Sequence, residues 1–153
     1  MCENDLISSI DDSDLTASST YDQGYSYAPH ESRFNSSSAW EGLGVGHWIQ
    51  AEFNETKVVV AVRTKRGDGS VSAYMISISL DGDVWNFVKT TNGSNMVFNG
   101  NAIAQDRDDI VINKLPSVIE ARFVRLTLVS FESYPSIRWA IDGCATSFLS
   151  TDY

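Results

Sequence analysis

Alternation of apolar and polar residues with a period of two is the feature that most limits the folds open to this chain. Three runs carry it clearly, Trp48–Phe53, Tyr74–Leu80 and Arg122–Leu128. Successive side chains of a β-strand point to opposite faces, so each run would bury its apolar members on one face. The predicted buried residues are Ile49, Ala51, Phe53, Tyr74, Ile76, Ile78, Leu80, Val124, Leu126 and Leu128.

Two further runs, Val58–Val62 and Ile110–Ile112, are rich in β-branched residues and have no clear polar face. We expect both to be strands buried on both sides. Turn sequences that contain glycine separate many of the runs. No long stretch keeps a 3.6-residue period, and at most one helical turn is expected, near Asp11–Ala17. The pattern predicts an all-β sandwich or barrel.

The two cysteines, Cys2 and Cys144, stand near opposite ends of the 153-residue chain and show no metal-binding spacing. Chain termini often lie close together in compact domains, so we predict one intramolecular disulfide, with two unrelated free thiols as the alternative. Asn35, Asn54 and Asn92 each begin a glycosylation triplet. Together these features indicate a secreted protein or the extracellular domain of a larger one.

The charge balance limits the partners. With 11 Lys and Arg against 20 Asp and Glu, the net charge is −9, so long-range electrostatics oppose nucleic acid, which we exclude. An anionic lipid surface is only disfavoured, because a local basic patch can oppose the net charge. No apolar run approaches the ~20 residues of a membrane span. The first five residues also lack the apolar stretch of a signal peptide, and we expect the natural protein to be longer.

Several segments, in order along the chain, match one known pattern. His47–Phe53 is similar to a W-[LI]-Q-x-D-L strand, Val71–Trp85 to a Y-x-V-x-Y-S-x-D-G-x-x-W hairpin, and Ala121–Leu126 to an A-R-Y-[VI]-R-[LI] strand. Smaller matching segments are Asp14–Ser19, Arg33–Asn35, Ala39–Trp40, Phe98–Asn101, Ile137–Arg138 and Gly143–Cys144. The chain thus resembles the discoidin domain, also called the F5/8 type C domain.

The resemblance implies a jelly-roll β-sandwich, an eight-stranded distorted barrel whose ends the two cysteines tie together. It also implies three recognition loops at one end, which map to about residues 22–28, 63–70 and 130–136. We assign residues 1–144 to the domain and 145–153 to a C-terminal tail. Members of this family bind phosphatidylserine membranes, cell-surface proteins, collagen or glycans, so the fold alone does not select the ligand.

Four aromatic residues of these loops are candidate ligand contacts: Tyr25, Tyr27, Phe131 and Tyr134. Each lies in a segment expected to be irregular and to face outward. A tyrosine offers an apolar ring with a hydroxyl group, which suits both protein recognition and stacking on a sugar ring. The alternative, left open here, is that these side chains pack on one another and only stiffen the loops.

The second loop adds charged candidates, Lys65, Arg66 and Asp68. With Arg63, the two cations form a basic spot that would suit an acidic glycan, a phospholipid head group or a protein carboxylate. Arg66-Gly67-Asp68 is also the triplet that many integrins recognise, although Gly-Asp-Gly is ordinary hairpin chemistry as well. Both interpretations stay open.

Catalysis has little support, because the chain has only His30 and His47 and no nucleophile-elbow, zinc or phosphate-loop pattern. We expect no metal or cofactor, since no calcium-loop pattern occurs either. The tryptophans in the matching motifs are expected to lie in or near the core, and the arginines there to bind carboxylates or loop carbonyls. These residues are Trp40, Trp48, Trp85, Trp139, Arg33, Arg122, Arg125 and Arg138.

The leading hypothesis is a non-enzymatic extracellular module that binds a cell-surface or matrix ligand, glycan or protein, and serves cell adhesion. One alternative is peripheral binding to membranes that contain phosphatidylserine. Another is integrin binding through residues 66–68. Polar residues interrupt the apolar loop tips that are typical of membrane-binding relatives, which favours a polar ligand. These residues are Asp22, Gln23, Gly24, Asp68 and Glu132.

Overall fold

The computed structural model describes Cys2 and residues 4–147. This part of the chain forms nine β-strands and short 3-10 helices, and the predicted all-β jelly-roll sandwich is confirmed. The strands are β1 (Asn4–Asp5), β2 (Leu15–Ala17), β3 (Trp40–Glu41), β4 (Trp48–Arg66), β5 (Ser70–Ser79), β6 (Asn86–Phe87), β7 (Phe98–Asn99), β8 (Val111–Glu132) and β9 (Ser136–Ala145). The 3-10 helices are Leu6–Ser9, Asp12–Asp14, Tyr21–Gly24 and Pro29–Ser32. The helical turn expected near Asp11–Ala17 is limited to three residues and is followed directly by β2.

Two long strands, β4 and β8, build the frame. Residues 48–52 of β4 pair antiparallel with residues 123–127 of β8, and after a break in register residues 57–64 pair with residues 111–121. The first part of β4 also pairs with β2, and its second part with β9. The strands follow the order β1-β9-β4-β8-β5-β6. Because β4 and β8 change partners along their length, they connect the two halves of the sandwich around one core.

The core consists of the faces that the period-two pattern predicted. Its predicted and fully buried members are Ile49, Ala51, Phe53, Tyr74, Ile76, Val124, Leu126 and Leu128. Ile78 is partly buried and packs against this cluster. Val58, Val59, Ala61 and Val62 are buried as well, so the strand expected at residues 58–62 is confirmed.

Three residues that were predicted to be buried are exposed. Leu80 is exposed because β5 ends at Ser79, whose side-chain oxygen accepts a hydrogen bond from the Gly82 amide (2.8 Å) and closes a turn. Ile112 is exposed because the register of β8 turns the alternate side, which includes Leu115, towards the core, and Ile110 lies just before β8 and is exposed as well. A run of β-branched residues shows that a strand forms but does not show which face is covered.

The disulfide between Cys2 and Cys144 is present, as predicted. Next to it, β1 pairs with β9, with Asn4 opposite Gly143. Strand β9 extends to Ala145, so the strand includes the first residue of the predicted tail, and residues 148–153 lie outside the described residues. No helix in the described part is long and apolar enough to cross a membrane.

Three of the four arginines of the matching motifs have the carboxylate or carbonyl partners that the sequence predicted, and the exception is Arg125. The guanidinium of Arg33 donates to the carbonyl oxygens of Ile7 and Ile10 (2.7 Å each). Arg122 donates to Glu52 (3.0 Å). The remaining two are Arg125, which donates to the Gln50 side chain, and Arg138, which donates to the Arg66 and Arg107 carbonyl oxygens and to Asp108.

Candidate functional site

Four connections meet at one end of the barrel, which we call the loop end: residues 21–28, 42–47, 67–69 and 133–135. The Gly42 amide donates to the Pro135 carbonyl (3.1 Å), and the Tyr27 hydroxyl donates to Asp68 (3.2 Å). Two of the expected loops are shorter than predicted, because β4 continues to Arg66 and β8 continues to Glu132. The connection at residues 42–47 was not expected to take part.

A cleft of roughly 210 Å³ opens at the loop end. Its lining, which defines the tyrosine cleft, consists of Tyr21, Tyr27, Glu41, Asp68 and Tyr134. The rings of Tyr21 and Tyr27 meet edge to face with centroids 5.8 Å apart. Two tyrosines therefore come from the first loop, one comes from the turn between β8 and β9, and the two carboxylates come from β3 and the β4–β5 turn.

Close backbone packing brings the two hairpin turns together. A Cβ atom on Gly69 would lie 2.1 Å from the carbonyl oxygen of Tyr134, so only glycine allows this contact. The first loop is fixed from the other side, where the Glu41 amide donates to the Tyr27 carbonyl (3.3 Å). The positions of Tyr27 and Tyr134 are thus set by the backbone of neighbouring segments.

Backbone strain is concentrated at this end. In the described part of the chain, the non-glycine residues with left-handed backbone are Asp22 (φ 49°), Gln23 (φ 60°) and Ser133 (φ 65°), all in loop-end connections. Such conformations cost of order 1 kcal/mol or more each and tend to cluster at binding sites. The loop end therefore carries a conformational cost that the rest of the described barrel does not.

The cleft is acidic. Glu41 is only 5% exposed, and burial raises the pKa of its carboxyl group, with a further increase from the nearby charges of Asp68 and Asp22. The hydrogen bond to Asp68 raises the pKa of the Tyr27 hydroxyl, which stays protonated and keeps donating. None of the described ion pairs of the protein includes Glu41 or Asp68.

Of the predicted ligand residues, the structure brings Tyr27, Asp68 and Tyr134 together in the tyrosine cleft. Tyr25 belongs to the same loop but is 93% exposed and does not line the cleft. Phe131 lies on β8 opposite Val71, outside the lining, and is about one-third exposed. The predicted aromatic set is therefore divided between the cleft and the surrounding surface.

Lys65 is not available at the surface, contrary to the prediction. It lies within β4, is 9% exposed, and holds its ammonium group 4.3 Å from the centre of the Phe34 ring. Burial lowers the pKa of this lysine. Its neighbour Arg63 forms a bidentate pair with Asp142 (2.9 and 2.8 Å). In place of the predicted basic spot, the Lys65 and Arg63 side chains make contacts within the protein.

The Arg66-Gly67-Asp68 triplet is built into the turn. The Arg66 guanidinium folds back to donate to the carbonyl oxygens of Gln105 (3.0 Å) and Gly67 (2.6 Å). The Asp68 carboxylate faces the tyrosine cleft, where it accepts from Tyr27. The two charged groups that an integrin would bind, those of Arg66 and Asp68, thus form hydrogen bonds to different segments of the protein.

Sequence reasoning missed Tyr21, Glu41, Leu43 and Val45. Glu41 follows the buried Trp40, and strand alternation alone could have placed its side chain on the outer face. Leu43 and Val45 alternate with glycines in the 42–47 connection and are 65% and 60% exposed. Apolar residues set between glycines were the available signal for an exposed loop tip.

The three predicted glycosylation asparagines, Asn35, Asn54 and Asn92, are all exposed. Their use remains a prediction. No group of three or more His, Cys, Asp or Glu side chains within residues 2 and 4–147 could hold a metal ion.

The family model of the F5/8 type C domain matches residues 14–141. The chain belongs to this family. Rat (Rattus norvegicus) neuropilin-1 is 30% identical over 149 residues, a match that covers 91% of this chain and 15% of the relative. Rat lactadherin is 28% identical over 149 residues, which covers 88% of this chain and 34% of the relative. The F5/8 type C domain described here therefore spans only a small part of these curated relatives.

Solved structures agree on the fold. Discoidin II of Dictyostelium discoideum superposes with a TM-score of 0.67 at 24% identity, covering 86% of this chain and 55% of that chain. A chitosan-binding module from a chitosanase/glucanase of Paenibacillus sp. IK-5 gives a TM-score of 0.64 at 20% identity, with coverage of 92% and 99%. F5/8 type C domains are binding modules for carbohydrate or phospholipid ligands and are generally not catalytic, and the relatives are extracellular or secreted proteins.

Proposed function

We propose that this F5/8 type C domain is an extracellular recognition module, secreted or part of a larger protein, which binds a cell-surface or matrix glycan in the tyrosine cleft and so serves cell adhesion. One observation carries the proposal: tyrosines and carboxylates from four separate segments converge on a single cleft at the strained end of the barrel. Core packing does not explain why these tyrosines converge, because none of them belongs to the hydrophobic core cluster.

The chemistry of the lining suits a sugar. The aromatic rings of Tyr21, Tyr27 and Tyr134 offer flat apolar faces, and their hydroxyl groups offer donors and acceptors. Glu41 and Asp68 add charged acceptors, which form stronger hydrogen bonds to ligand hydroxyl groups than neutral acceptors do. A chitosan-binding module shares the fold, which adds support to a carbohydrate ligand.

A glycan array tests the proposal, followed by titration of the best glycan against single variants. Tyr134→Ala should weaken binding by about 1–3 kcal/mol, because it removes a contact surface from the cleft. Its melting temperature should stay close to that of the wild type, since Tyr134 is half-exposed and lies outside the core.

Tyr25→Ala is the matched control, because Tyr25 is a loop tyrosine outside the cleft lining. It should bind as the wild type does. Equal losses in the two variants would place the ligand on the outer loop surface. If the domain binds no glycan on the array and binds a cell-surface protein instead, the glycan in the proposal is wrong and that protein is the ligand.

One observation favours a second candidate function, peripheral binding to membranes. Leu43 and Val45 project from a glycine-rich connection at the loop end, where two aliphatic side chains could enter the apolar phase of a bilayer. The electrostatics oppose this for anionic lipid, because Asp22, Glu41 and Asp68 lie at the same end and Arg66 is turned inward. Glycan binding is therefore the leading proposal.

A further inference from the structure

The Glu41 side chain is largely covered, and its carboxylate faces the tyrosine cleft without a donor or cation from the described residues. It is 5% exposed, and no hydrogen bond or ion pair joins its carboxylate to any other described residue. A carboxylate held at the floor of a cleft is partly removed from water, so a donor or a cation that reaches it from the cleft offsets part of that cost. Its backbone is held by β3, paired with Ser136 of β9, so the position is part of the sheet and not a loose loop.

The surroundings increase the need for a cation. The Asp68 carboxylate shares the cleft and accepts a hydrogen bond from the neutral hydroxyl of Tyr27, and the negative charge of Asp22 also raises the pKa of Glu41. The arginines of neighbouring segments form no ion pair with Glu41 or Asp68 among the described residues. Arg66 donates to the Gln105 and Gly67 carbonyls, and Arg107 donates to the Ser37 and Ser38 carbonyls (2.9 and 3.0 Å).

We infer that the tyrosine cleft takes a positively charged group, the ammonium of an amino sugar, with Glu41 as its ion-pair partner and Asp68 as a second acceptor. The inference rests on the proposed glycan function and names its substrate class. An ammonium group supplies donors to both carboxylates and relieves the burial cost of Glu41. The three tyrosine rings then pack on the sugar and also attract the cation through their faces.

Calorimetric titration with two oligosaccharides of equal length tests the inference, one of glucosamine and one of N-acetylglucosamine. Acetylation removes the charge and keeps the pyranose ring. The wild type should prefer the glucosamine oligosaccharide by about tenfold, as expected when one charged hydrogen-bonded contact is lost. Glu41→Gln should abolish this preference while Tyr134→Ala should weaken both ligands.

Glu132→Gln is the matched control, because Glu132 is an exposed carboxylate at the end of β8 and does not line the cleft. It changes the net charge by the same amount and should keep the preference. The melting temperature of Glu41→Gln should equal or exceed that of the wild type, since a neutral amide replaces a charge that is partly removed from water. A clear decrease would reveal a structural partner for Glu41 and overturn the inference.

The outcomes separate this inference from the proposed function. Equal binding of both oligosaccharides, with loss in Tyr134→Ala, would overturn the cation preference and leave glycan binding intact. Binding of neither oligosaccharide, together with an empty glycan array, would overturn both. If a short lysine-containing peptide binds more tightly than the glucosamine oligosaccharide, the cation comes from a protein and the amino-sugar assignment is wrong.

Discussion

The four tryptophans illustrate how differently one residue type is used in this domain. Trp40 and Trp139 are completely buried, and each indole N–H has a partner, the Ser19 carbonyl (3.0 Å) for Trp40 and the Ser32 hydroxyl (3.1 Å) for Trp139. Trp48 and Trp85 are only half-buried, so they occupy near-core positions and not the core itself. The first pair fills volume inside the sandwich, whereas the second covers its surface.

Trp40→Ala should lower the free energy of unfolding by about 3–5 kcal/mol, because the cavity left by a buried indole collapses only in part. Trp48→Ala is the comparison and should cost distinctly less, since Trp48 retains contact with water in the folded state. Urea unfolding followed by circular dichroism measures both values. Equal losses would show that Trp48 contributes to the core despite its exposure.

Glu41 gives stability a pH dependence of a definite sign. Its pKa in the folded protein is raised above the ordinary value of 4.5, so the ionised carboxylate destabilises the fold at neutral pH, and this cost is relieved as the pH falls through the raised pKa. Glu41→Gln should therefore be more stable than the wild type at neutral pH, with a difference that shrinks towards pH 4.5. Thermal unfolding of both proteins across this range checks the sign, and a difference that grows on acidification would contradict it.

At the scale of elements, a stack of three side chains fastens the β5–β6 turn to the sheet. The Arg125 guanidinium of β8 lies 3.8 Å from the ring centres of both Trp48 on β4 and Trp85 in the turn. The Trp85 indole N–H closes the turn by donating to the Gly82 carbonyl (3.1 Å). A planar cation between two indoles thus connects three segments that are far apart in the sequence.

Arg125→Lys should cost about 1–2 kcal/mol of stability, because an ammonium group cannot stack flat between two rings and the Gln50 hydrogen bond is weakened. The intrinsic fluorescence should change as well, since both indoles lose a neighbour. Arg107→Lys is the control, because Arg107 has no aromatic partner in the described part and a lysine can still donate to its carbonyl acceptors. Similar losses in the two variants would mean that stacking contributes nothing.

Sequence patterns predict the elements whose structure depends on residues close together in the sequence. Alternation in residues 48–53 and 122–128 places the strands and their buried faces, because the core covers one side of each. Alternation does not predict the environment of Lys65 or of Glu41. Lys65 is buried by Phe34, which lies 31 positions away in the sequence, and Glu41 becomes significant only when Asp68 and three tyrosines converge on it. Contacts between distant segments decide the site, and a single sequence does not contain them.

For the whole molecule, the disulfide joins the two ends of the described fold across 142 positions of sequence. Loop-closure entropy assigns such a link roughly 5 kcal/mol, an upper value for its effect on the unfolded chain. Cys2→Ala with Cys144→Ala should therefore unfold at a lower temperature while keeping its native circular dichroism at 25 °C, because the core lies elsewhere. Loss of folded structure at 25 °C would show that the core alone is insufficient.

Charge governs the last whole-molecule property, the response to lipid surfaces. The protein carries a net charge of −9, and the cations once expected to oppose it, Arg63, Lys65 and Arg66, are engaged inside the protein. Added salt would weaken binding if a basic spot attracted the lipid. Because the loop end is acidic instead, salt should screen repulsion and, if anything, strengthen contact with anionic vesicles.

Flotation with phosphatidylserine vesicles and with neutral phosphatidylcholine vesicles, each at low and high salt, tests this sign. We expect weak binding to both, no preference for phosphatidylserine, and no decrease with salt. Any residual binding should depend on the aliphatic tip, so Leu43→Ser should reduce it. Val118→Ser, at an exposed apolar position that lines a different groove, should not. Binding to phosphatidylserine that falls with salt would show that cations act at the surface after all. Tight binding that survives high salt and disappears in Leu43→Ser would show that aliphatic insertion outweighs the acidic field, and membrane binding would then replace glycan binding as the function of the loop end.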